Sequence, residues 1–202
     1  MERFVHYIIT PFNLGLYKRS WDKEKWMSKR MELFEKYTLP GMRAQTNQNF
    51  KWLVQFDVDT PEVPDFDYGN IIICHERGAK EYLDKHVRDK WIITSRLDND
   101  DYYEPTFVEE IQRCFDMREL LIDIGGRQLD HKTGKFYQFP KYSMDSPFIS
   151  LIEKRKGGYR TVKCHNHGQM KRHFRKKYIN KKLVVQVIHD TNEMNRLTKI
   201  EE

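Results

Sequence analysis

The segment "WIITSRLDNDDYY", residues 91–103, places Asp98, Asn99, Asp100 and Asp101 directly after an apolar run ending in Arg96 and Leu97. Three carboxylates within four positions repel one another unless a positive charge lies among them. Asp98 and Asp100 stand two apart, so an extended backbone projects both to one side. Hard oxygen ligands in that arrangement suit Mg²⁺ or Mn²⁺, and such ions commonly keep phosphate oxygens as further ligands. The residue types therefore point to a divalent cation carrying a diphosphate. The plainer alternative is a solvated loop with helix-capping acids. Position favours the first reading, because ligands of open α/β sheets gather at the carboxyl ends of the strands.

Several other side chains could join that chemistry. Arg96 can fork onto a phosphate, or pair with one of the neighbouring acids. Asp101 can be a further ligand or a cap. His189 ends the last apolar run, "LVVQVIH", and a neutral imidazole there is a competent Mn²⁺ ligand, with Asp190 and Asn192 as weaker neighbours. His165 and His167, in "HNH", have no third ligand spaced near them and read as a loop. "KRHFRKKYINKK", 171–182, packs seven Lys and Arg into twelve residues. Phe174 and Tyr178 are four apart, so on a helix they would share a docking face and leave the charges to water or to an anionic ligand.

The positioning elements follow from apolar periodicity and turn residues. Strands are expected over 3–10, 50–59, 70–76, 90–98, 119–126 and 183–189, with a hairpin over 127–139 turning at 131–134. Helices are expected from about 20 to 42, interrupted at Pro40-Gly41, over 79–87, and over 105–117 with Pro105 in its first turn. A further helix is expected from Ser146 as cap and Pro147 as first residue. Strands alternating with helices in the first half imply an α/β fold on a mostly parallel sheet, and the later hairpin makes that sheet mixed.

The chain has 202 residues, the size of one domain, and its 13% aromatic content argues for a folded rather than a disordered chain. A net charge of +6 suits an anionic partner such as a nucleotide diphosphate, a nucleic acid or an acidic glycan. Cys74, Cys114 and Cys164 form no CxxC pair, so reduced thiols are expected rather than a disulfide framework or a zinc site. No run approaches the ~20 apolar residues of a membrane span, and the N-terminus lacks signal-peptide features. The expected location is cytoplasmic.

The Asp-x-Asp motif after a strand resembles the metal site of GT-A glycosyltransferases. "LFEKYTLPGMRAQTNQNFKWLVQFD" resembles their opening segment, and "SRLDNDD", "SPFISLIE" and "VVQVIHDTN" together resemble a family of rhamnosyltransferases, over about residues 4–195. The resemblance implies a single GT-A-like domain over 1–202. Its nucleotide-binding half would cover about 1–103 and its acceptor half about 104–202, with little room for an acceptor subdomain. It implies transfer of a sugar from a nucleotide-sugar donor to an acceptor hydroxyl of a glycan or, as a minority reading, a modified DNA base. Asp98 and Asp100 would form the metal motif, Asp100 as direct ligand and Asp98 toward the ribose or a metal-bound water, with His189 returning to the Mn²⁺ or Mg²⁺. Thr10, Pro11, Phe12, Asn13, Gln45, Thr46, Asp57 and Arg96 would line the donor. If configuration inverts, a base is required, and Asp145 and Glu153 are the candidates.

Two rival readings remain at this stage. A nucleotidyltransferase also holds Mg²⁺ and phosphates on an α/β sheet, but commonly carries a Gly-rich loop after its first strand, where "TPFNLGLYKRS" has only Gly15. A basic nucleic-acid- or glycan-binding module with a degenerate GT-A fold would have little use for Asp98, Asp100 and His189 together.

Overall fold

The computed structural model describes residues 3–19, 21–75, 78–139, 147–163, 167–192 and 195–198. β1 (Phe4–Pro11), β2 (Lys51–Gln55), β3 (Ile71–Cys74) and β4 (Trp91–Arg96) run parallel in the order β3-β2-β1-β4. Beyond β4 the sheet turns mixed. β8 (Ile149–Lys154) is antiparallel to both β4 and β6 (Leu120–Asp130), and β9 (Lys176–Ile188) runs parallel to β6. The two-residue β5 (Tyr102–Tyr103) closes the far edge on β9, and β7 (Phe136–Gln138) makes the expected hairpin with β6.

Alternation along β1 divides the core. Ile8 joins Trp52, Val54 and Ile93 under α1 (Lys23–Leu33), α2 (Leu39–Arg43) and α4 (Phe107–Gln112). Ile9 points to the other face, with Leu53 and Leu151 under α3 (Ala79–His86) and α5 (His167–His173). Asp22 starts α1 by accepting the Lys25 amide at 3.1 Å.

Three expectations change. The first helix does not stop at Pro40. It widens into a π-turn over Phe34–Thr38, in which the Leu39 amide reaches Phe34 O, and this accommodates a proline that can donate no bond. The segment expected to be helical from Ser146 is instead the central strand β8, buried from Ile149 to Glu153. A short, mostly apolar stretch such as residues 148–152 fits either state, and pairing on both edges decides for strand. The basic stretch is not one helix either. α5 ends at His173 and β9 begins at Lys176, so Phe174 packs inward while Tyr178 is 52% exposed.

Close backbone approaches shape the far edge. A Cβ on Gly41 would lie 2.8 Å from Tyr102 Cβ, and one on Gly126 2.5 Å from Val184 Cγ2. At Gly126 the β6–β9 register jumps from Ile124↔Ile179 to Gly126↔Val184. This irregularity re-aims β9 so that the residue after it, His189, returns to the end of β4.

Candidate active site

The acid cluster occupies the turn between β4 and β5. Asn99 ties it to the end of β1 by donating to Phe12 O at 2.7 Å. Asp98 is half-exposed and receives a two-pronged bond from Arg96, Nε and Nη2 each at 3.1 Å. Asp101 points inward, where its Oδ1 accepts the Val187 amide at 2.8 Å. Burial and the Asp100 and Asp98 charges push its carboxyl well above the usual range, and its bond to the Val187 amide joins the turn to β9.

Asp100 and His189 are brought together across 89 residues of sequence, with His189 Nε2 2.9 Å from Asp100 Oδ2. The Thr191 hydroxyl sits 2.9 Å from the other ring nitrogen, and Asn192 Oδ1 accepts the His189 amide at 2.6 Å. The third member is Arg30, from α1. Its Nη1 donates to Asp100 Oδ2 and lies 3.5 Å from Asn99 Oδ1, while Nη2 reaches Thr191 O at 3.4 Å. The Trp26 ring lies 5.3 Å from the guanidinium carbon. Burial opposes the Asp100 charge, but the His189 bond and the Arg30 guanidinium hold its carboxyl below the ordinary value. The positive charge demanded by the acid run is thus a side chain 70 positions upstream. Arg30 stands on the apolar stripe of α1 beside Met27 and Met31, and a cation on such a stripe was the available signal.

As it stands this donor set does not fit a divalent cation. Asp100 Oδ2 already receives both Arg30 and His189, Asp98 is taken by Arg96, and no group of three His, Cys, Asp or Glu able to hold a metal occurs among the described residues.

Beside the cluster, at the carboxyl ends of β1 and β2, lies a cleft of about 360 Å³ lined by Pro11, Gln55, Lys80, Arg160, Thr161 and Lys163, among others. The Gln55 side-chain nitrogen is buried without a hydrogen-bond partner among the described residues. Thr161 holds a φ of 64°, a costly conformation for a β-branched residue. It is held there by Glu153, whose carboxylate accepts the Arg160 and Thr161 amides at 2.8 and 2.7 Å. Burial, then the Arg96 charge, pull the Lys163 ammonium down to about 8, partly offset by Asp98. A larger groove of about 890 Å³ lies at the opposite, amino edge, around Phe4, Asn49 and Asp89, and shares no residue with the acid cluster.

Of the donor residues expected from sequence, Pro11 lines this cleft, and Arg96 and Asp98 adjoin it through Lys163. The others are used for structure. Thr10 Oγ1 accepts the Trp52 indole N–H at 2.9 Å, and Phe12 stacks on Phe56 with centroids 4.7 Å apart. Asn13 Oδ1 accepts the Asp57 amide, while Asp57 accepts the Gly15 and Asp59 amides, stitching two loops together. Gln45 and Thr46 bond the Glu104–Val108 segment, on the amino side of β2. Glu153 is fully buried opposite Ile92, in the amino half of β4, so it supports the cleft wall rather than facing an acceptor. Asp145, like His165, lies outside the described residues. Gln55, Lys80, Arg160 and Lys163 were not singled out in the sequence, because nothing in their spacing links them before the sheet is assembled.

A parallel half-sheet extended beyond β4 by a mixed half is a GT-A-like fold. S. aureus TarS, a GT-A-like glycosyltransferase, has this fold. Its 1–349 structure matches with a TM-score of 0.51 at 10% identity, over 91% of this chain and 60% of that one. The structure of the same TarS segment with UDP-GlcNAc matches with a TM-score of 0.48 at 10% identity, over 93% and 60%. This chain thus spans less than two thirds of the TarS segment. A family model described as "Putative rhamnosyl transferase" matches residues 18–65, a span that contains Arg30 and Gln55 but ends before the acid cluster. No curated protein matches the chain. Among the described residues no helix is long and apolar enough to cross a membrane.

Proposed function

We propose that this chain is a glycosyltransferase that takes a sugar from a nucleotide-sugar donor. The observation that carries this reading is the meeting of Asp100 and His189 at the carboxyl edge of a GT-A-like sheet, beside a cleft walled by Lys80, Arg160 and Lys163. An acceptor hydroxyl attacks the anomeric carbon, the bond from that carbon to the diphosphate oxygen breaks, the hydroxyl proton passes to the departing diphosphate, and negative charge collects on that leaving group. Cations fixed where that charge develops lower the barrier without reorganising. Lys163 serves that role, with Arg160, otherwise paired with Glu119, beside it; Pro11 packs against the nucleoside, and the Gln55 amide bonds the base or ribose. Asp98, at the mouth of the cluster, faces the ribose or sugar hydroxyls. The sugar is a hexose of the rhamnosyl type, in keeping with the family match over 18–65, and the acceptor is a glycan hydroxyl.

The test is turnover of a panel of uridine, thymidine and guanosine diphosphate sugars, read as release of the nucleoside diphosphate with and without glycan acceptors. One donor class should be consumed, and Asp100→Asn, which removes the charge that holds Arg30 and His189 together, should slow it about tenfold or more, the scale of one charged hydrogen bond. A protein that turns over none of them, or an Asp100→Asn variant at full rate, would overturn the reading.

A further inference from the structure

The acid cluster holds its charges in matched pairs. Asp98 is clasped by Arg96 through two bonds of 3.1 Å, and Asp100 by Arg30. His189 offers no open position: one ring nitrogen faces Asp100 at 2.9 Å and the other faces the Thr191 hydroxyl at 2.9 Å. A divalent ion on Asp100 would compete with a guanidinium that α1 has already buried against the same carboxylate. That guanidinium is itself well suited to stay. Its planar fork bridges Asp100, Asn99 and the Thr191 carbonyl, although its Nε–H has no acceptor among the described residues. Across the edge, the cleft supplies further cations for a diphosphate in Lys163 and in the partly exposed Lys80 and Arg160, whose resting partners are Asp84 and Glu119.

We propose that Arg30 is the resident cation of this site, standing beside Asp100 and His189 where a divalent ion would bind, and that a nucleoside diphosphate is held here by side-chain cations without a metal. This rests on the donor-binding reading above and concerns only what neutralises the donor. Arg30 acts as a positioning residue: it fixes Asp100 and the β4–β5 turn while Lys163 and Arg160 meet the phosphates.

The experiment is calorimetric titration of the protein with the nucleoside diphosphate of the donor it turns over, or with UDP, dTDP and GDP in turn. Each titration is run once in EDTA and once in Mn²⁺. The native protein should bind one of them with affinities that agree within about twofold between the two conditions, far from the loss expected when a coordinating ion is stripped from a phosphate site. Arg30→Met should weaken binding in EDTA about tenfold or more, the scale of one charged hydrogen bond, and Mn²⁺ should restore part of it. Arg30→Lys, which keeps the charge, should stay metal-independent. Binding by the native protein only in Mn²⁺ overturns the proposal and leaves the donor reading standing, as does an Arg30→Met variant unchanged in EDTA. Absence of binding in both conditions overturns the donor reading and this proposal with it. If Arg30→Met does not fold, the native EDTA-to-Mn²⁺ ratio still decides.

Discussion

His6 sits in the middle of β1 at 1% exposure, its Nε2 2.8 Å from Ser95 Oγ, which in turn lies 2.6 Å from Ser150 Oγ. This polar chain crosses three strands of the core, and burial pulls the imidazole down from 6.5 to about 3. Between those values the unfolded chain binds a proton that the folded chain does not, so stability must fall as pH drops from about 6.5 toward 3. The slope contributed by one such group is at most about 1.4 kcal/mol per pH unit. His6→Gln, which keeps a donor for Ser95, should flatten the acid limb of a urea-denaturation series by up to one proton. An unchanged slope would mean that other groups govern acid unfolding. At the same scale, Asp98, Asp100 and His189 were legible in the sequence because carboxylates and imidazole announce their chemistry by type. Gln55 and Lys163 were not, because a lone cation or amide acquires a role only from what the fold sets opposite it, and Arg30 showed only as a cation on an apolar stripe with no partner named.

The elements decide where those side chains meet. The strands of the parallel half were readable, since buried β-branched runs flanked by turn residues have few alternatives. β8 was misread because Ser146-Pro147 imitates a helix start, and only partners on both edges make a strand of it. The return of His189 depends on two tight contacts, at Gly41 against β5 and at Gly126 against β9. Gly126→Ala would drive a Cβ to 2.9 Å from the Val184 carbonyl oxygen and 2.5 Å from its methyl. It should cost about 1–3 kcal/mol, as overpacking does. Gly41→Ala, meeting Tyr102 Cβ at 2.8 Å and the Tyr103 carbonyl oxygen at 3.2 Å, should fall in the same range. Gly69→Ala, with nothing within 4 Å, should shift the denaturation midpoint little and serves as the control. If all three behave alike, the close approaches do not hold the far edge in place.

At the scale of the whole molecule, the sheet gathers three chemistries on one edge: an acid turn, a returning histidine and a cationic cleft. The α/β sheet was legible in the patterning of strands and helices, and its GT-A-like character in the resemblance carried by its ordered segments. The cleft could not, because its walls come from β1, β2, α3 and the loop that Glu153 holds after β8. The basic strand face from Lys176 to Lys182 lies apart from that cleft and offers an anion a competing place to bind. The measurement that separates these surfaces most directly is hydrogen exchange of the native protein with and without a saturating nucleoside diphosphate. Protection should appear in peptides covering 10–15, 55–60, 96–101 and 158–163, with 176–182 unchanged. Protection confined to 176–182, or none at the carboxyl edge at any nucleotide tested, would contradict a donor site there.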